Sequence, residues 1–124
     1  MLDGAHFAVF YRAAARGEQV QSHAPRQVSR DGLRELAEAL FGDAGQAAAE
    51  DYLGIIDGTD LILQAYPDDA TAGEPASALV VELLYPEADA GLRTRLGRAE
   101  FLRLLAALPA RFDEGLLPGA QYVT

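Results

Sequence analysis

The sequence contains no cysteine, no lysine and no tryptophan, and only one methionine. Without cysteine there are no disulfide frameworks, no thiol nucleophiles and no Cys-ligated zinc or iron–sulfur sites, so the chain suits a reducing compartment. Without lysine there is no Schiff-base chemistry and no P-loop lysine. No Gly-x-Gly-x-x-Gly or Walker loop is present to cradle a phosphate. No apolar run approaches the roughly 18 residues of a membrane span, and Met1–His6 lacks the basic and apolar regions of a signal peptide. A cytoplasmic location without a membrane partner is the expectation.

What is present is 124 residues, half of them apolar, enough for one domain with a single core. The formal charge is −9, from ten arginines against nineteen acids. That balance disfavours a phosphate backbone, so no nucleic-acid partner is expected. The charge is unevenly spread. Residues 1–50 carry five Arg and seven acids, residues 92–124 five Arg and three acids, while residues 51–91 carry nine acids and no basic residue. Solubility is the plain explanation of such a run. The alternative is a surface that steers toward a basic partner and sets the register of docking.

Periodicity predicts the elements. His6–Tyr11 alternates, with Phe7, Val9 and Tyr11 on one side, as a strand does; a short edge strand near Val20–Val28 follows, limited by Pro25. Ser29 is a plausible N-cap for a helix over about 30–41, with Leu33, Leu36, Ala37, Leu40 and Phe41 on one stripe and Gly42 as its stop. Tyr52–Ile56 and Leu61–Tyr66 flank Asp57-Gly58-Thr59-Asp60, a hairpin signal. Ala78–Tyr85 completes a three-stranded meander over about 52–85. Residues 91–96 read either as a fourth strand or as the run-in to a helix over about 98–108, which carries Phe101, Leu104, Leu105 and Leu108. Gln121–Val123 either adds a terminal strand or frays. Strands grouped between helices give a single α+β domain, 1–124, with an antiparallel sheet packed against two helices.

Chemistry-bearing groups are sparse. Asp57 with Asp60, and Asp68 with Asp69, could hold a hard cation, but the alternating acids of a calcium loop are missing and turn chemistry is the plainer reading. His6 and His23 lack zinc spacing. Either could join Ser22, Ser29 or Ser77 in space, yet no Gly-x-Ser-x-Gly elbow surrounds any serine. Arg93, Arg95, Arg98 and Arg103 form an anion-site candidate or, preferably, neutralise the acidic third. Tyr52, Tyr66 and Tyr85 each fall at a strand end, as rim of the core or as interface anchors. No catalytic residue, metal or cofactor is assigned.

The segments Asp51–Asp57 (DYLGIID), Leu61–Tyr66 (LILQAY), Val80–Glu87 (VVELLYPE) and Gly97–Pro109 (GRAEFLRLLAALP) resemble small bacterial immunity proteins of polymorphic and contact-dependent toxin systems. The resemblance spans about half of the chain and rests mostly on core residues. It implies a non-enzymatic protein that binds one cognate, basic toxin domain and blocks it. The candidate contact residues are Asp57, Asp60, Tyr66, Asp68, Asp69, Glu74, Glu82, Tyr85, Glu87 and Asp89. Alternatives are a structural or regulatory module that self-associates through the exposed sheet face, with a homo-oligomer left open, and a small-molecule binder or enzyme using His6 or His23.

Overall fold

A computed structural model of the chain describes residues 6–13, 17–41, 51–67 and 78–123. The alternation in the first strand is realised as read: β1 (His6–Ala13) buries Phe7, Val9 and Tyr11 on one face. The single edge strand expected beside it is split into β2 (Glu18–Val20) and β3 (Arg26–Ser29), both antiparallel to β1. Pro25 lies in the gap between them, where its missing N–H breaks no ladder bond.

α1 (Arg30–Phe41) begins at the expected cap, with the Gly32 N–H donating to Ser29 Oγ at 3.0 Å. Its buried residues, Leu33, Ala37, Leu40 and Phe41, recur at helical spacing. The proposed stop at Gly42 lies outside the described residues.

β4 (Tyr52–Ile56), β5 (Ile62–Pro67) and β6 (Ala78–Tyr85) form the expected meander. Residues 90–97 resolve the open alternative: they form β7 (Ala90–Gly97), paired along its whole length with β6. α2 (Arg98–Ala106) is two residues shorter than read, because Ala107 caps it and Leu108 lies beyond it, although the Leu108 side chain remains buried. β8 (Gln121–Val123) pairs with β7.

Among the described residues the strands form one antiparallel sheet in the order β2-β1-β4-β5-β6-β7-β8, with β3 also on β1. Register puts Val9 opposite Ile55, Ile55 opposite Leu63 and Leu63 opposite Leu83, so one face of the sheet is continuously apolar. α1 and α2 cover that face, and the Phe41 and Phe101 rings meet edge to face at 6.1 Å. Each fully buried Leu or Phe there contributes about 1.5–3 kcal/mol of transfer free energy. The domain is α+β, as the sequence pattern implies.

The β4–β5 connection departs from a tight Asp-Gly turn. Asp60 adopts the left-handed conformation (φ 69°) while Gly58 does not, and the Asp57 N–H donates to the Leu61 carbonyl at 2.9 Å. The Asp57 carboxylate organises this longer loop by accepting from the N–H groups of Thr59 and Leu61.

Candidate functional site

Antiparallel connections alternate between the two ends of a sheet. The β4–β5 loop (57–61) and the β6–β7 connection (86–89) therefore share one end. Exposed Asp60, Glu87 and Asp89 occupy that end. Asp68, Asp69 and Glu74 lie outside the described residues.

Two members of the contact set drawn from the sequence are buried. Asp57 is 8% exposed and accepts from the backbone of Phe112 at 2.6 Å, from Thr59 N–H and Oγ1–H, and from Leu61 N–H. Burial alone would raise its pKa, but the combined hydrogen bonds from Phe112, Thr59 and Leu61 outweigh that and hold it below the ordinary carboxylate range. Glu82 is 5% exposed and is gripped from both sides. Gln64 Nε2 donates to one oxygen at 2.8 Å, and Arg93 donates to the other through Nε at 2.8 Å and Nη2 at 2.7 Å. That side-chain hydrogen bond, reinforced by the Glu82 charge, pushes the Arg93 pKa up. Arg93 thus takes the neutralising role considered for the C-terminal arginines.

The acidic end gains residues that the linear charge count hid. The Gly58 N–H donates to the Ala110 carbonyl and the Phe112 N–H to Asp57, so the segment after α2 is laced onto this end of the sheet. It brings exposed Asp113 and Glu114, along with Arg111. These carboxylates reach Tyr85: burial, then the charges of Glu114 and Asp113, raise its pKa. Tyr85 is half-buried and packs at the rim of the core. Asp113 and Glu114 sit in a stretch whose local charge is nearly balanced, so sequence order gave no signal for them. The Asp57–Phe112 and Gly58–Ala110 bonds reveal their position.

The second sheet face carries neither helix. Its cross-strand rows follow from register. Gly54, Gln64, Glu82, Arg93 and Gln121 stand opposite one another in turn across β4, β5, β6, β7 and β8. Phe10 faces Gly54, and its ring fills the space a Cβ there would need. Tyr66, Val80 and Arg95 form a parallel row, and the Tyr52 ring lies 6.1 Å from that of Phe10. Tyr66 is therefore on this open face, away from the acidic end.

His6 and His23 are exposed, the first at the start of β1 opposite Ser29, whose hydroxyl caps α1. Among the described residues no group of three or more His, Asp or Glu side chains could hold a metal ion, and no helix is long and apolar enough to cross a membrane. Comparison with protein-family models, curated proteins and solved structures finds no match to this chain.

Proposed function

We propose that the protein is a non-enzymatic immunity protein, acting in the cytoplasm, that binds a basic bacterial toxin domain through the acidic end of its sheet. The observation that carries this reading is the gathering of Asp60, Glu87, Asp89, Asp113 and Glu114, all exposed, around two hairpin connections and the segment after α2. The described cation in the same segment is Arg111. Carboxylates held on short turns of a packed sheet lose little freedom on docking, and a field of one sign accelerates encounter with a cationic partner. The resemblance over residues 51–112 supports the same class of partner.

The test is calorimetric titration of the purified chain with the polypeptide encoded by the adjacent gene, at low and at physiological salt. Replacing Asp60 and Asp89 by Asn and Glu87 by Gln is expected to weaken binding about tenfold, since exposed charges contribute up to about 1 kcal/mol each. Affinity that is unchanged by the triple substitution and insensitive to salt overturns the electrostatic mechanism.

A further inference from the structure

The open face of the sheet carries two adjoining hollows of different character that share one side chain. The larger, about 540 Å³, is lined by Arg93, Arg95, Thr94 and Gln121 at its polar end and by Tyr66. The smaller, about 370 Å³, is lined by Phe10, Tyr52, Gln64 and Asp51, and again by Tyr66. Tyr66 therefore stands between an aromatic half and an arginine half.

The geometry points to a binding site for a nucleoside 5′-monophosphate, with the base in the aromatic half and the phosphate at the arginines. Three observations carry this assignment. The half-buried Tyr52 and Tyr66 rings offer apolar surface to a planar base, the buried Phe10 ring backs Tyr52, and a serine hydroxyl, Ser22, and the Gln64 amide, its Nε2 donating to Glu82, border the same hollow. Arg93 and Arg95 are exposed neighbours on one strand face, and Glu82 holds Arg93 in place through its Nε and Nη2. Guanidinium groups are the planar, multidentate donors that suit phosphate. Tyr66 and Arg95 flank Val80 in register, two strand spacings or about 10 Å apart, which is within reach of a nucleotide from ring to phosphate.

A single phosphate needs only the arginine half, whereas a polymer would bring further phosphates against a chain of charge −9. The site is separate from the acidic end and stands or falls independently of the immunity reading.

The experiment is amide chemical-shift titration of the whole chain with each of the four ribonucleoside 5′-monophosphates, and separately with adenosine and with inorganic phosphate. At least one monophosphate is expected to saturate at millimolar concentration or below, to shift amides of β5, β6 and β7, and to bind more tightly than adenosine or phosphate alone. Arg95→Gln and Tyr52→Leu are each expected to weaken it about tenfold. The wild-type shift map reports the site even where a variant folds poorly. Three results overturn the proposal: no saturation by any of the four, shifts confined to the helices or to the acidic end, or phosphate alone binding as tightly as the nucleotide.

Discussion

The Asp57 carboxylate accepts the backbone N–H of Phe112, 55 residues further along the chain, at 2.6 Å. One side chain thereby ties the β4–β5 loop to the segment after α2, and both Phe112 and Leu108 stay in the core beside it. Asp57→Ala leaves the N–H groups of Phe112, Thr59 and Leu61 without their acceptor. A loss of about 3 kcal/mol is expected in urea unfolding.

The same carboxylate sets a pH dependence. Its folded pKa lies below the ordinary value of 3.8, so the unfolded chain binds the proton first. Its contribution to stability is complete above the ordinary value and is lost as pH falls through the depressed one. Asp57→Asn should lose stability relative to wild type at neutral pH, and the gap should narrow in melts run progressively below about pH 4.

Arg30 joins the two helices. From the start of α1 its guanidinium donates to the carbonyls of Leu105, Ala106 and Leu108 at 3.0–3.3 Å and lies 5.2 Å from the Phe7 ring centroid. Leu105 and Ala106 belong to the last turn of α2 and Leu108 follows it, so the guanidinium caps the end of that helix. Arg30→Ala should cost about 2 kcal/mol, and Arg30→Lys, which keeps the charge but not the fork of donors, about half as much, read from thermal denaturation.

Gly54 and Phe10 are coupled through space. Any Cβ at Gly54 collides with the Phe10 ring, so Gly54→Ala should destabilise by about 1–3 kcal/mol. The cost should shrink in a Phe10→Ala background, and the double-mutant cycle measures the difference. Additive single and double effects would show that the ring does not occupy that space.

Glu82 and Arg93 separate stability from recognition. Arg93→Ala strips a 5% exposed carboxylate of its cation and leaves it the hydrogen bond from Gln64 on this face. A loss of about 1–2 kcal/mol is expected, tempered because Arg93 itself is half-exposed. Replacing Glu82 and Arg93 together by Gln should cost less than Arg93→Ala alone.

Much of the fold was legible in the sequence. Strand alternation at Phe7, Val9 and Tyr11, the helical stripe from Leu33 to Phe41 and the apolar runs around Asp57 all report local geometry, which period alone determines. The candidate surface was legible only in part. Exposed Asp60, Glu87 and Asp89 were named from the charge run, but so were Asp57 and Glu82, which a linear count cannot tell from exposed acids. The Asp57-Gly58 pair signals the hairpin, and the left-handed conformation falls at Asp60. The reason is that the Asp57 side chain closes a longer loop than the dipeptide suggests.

By itself the sequence determined the element types, the single α+β core, and the concentration of negative charge between residues 51 and 91. Tertiary structure decided which of those charges face solvent. Cross-strand register brings Gln64 and Arg93 onto Glu82, and the return of the chain after α2 places Phe112 on Asp57 and carries Asp113 and Glu114 to the acidic end. Those pairings join residues 11 to 55 or more positions apart, and local propensity has no means of encoding contacts made only when the sheet closes over its helices.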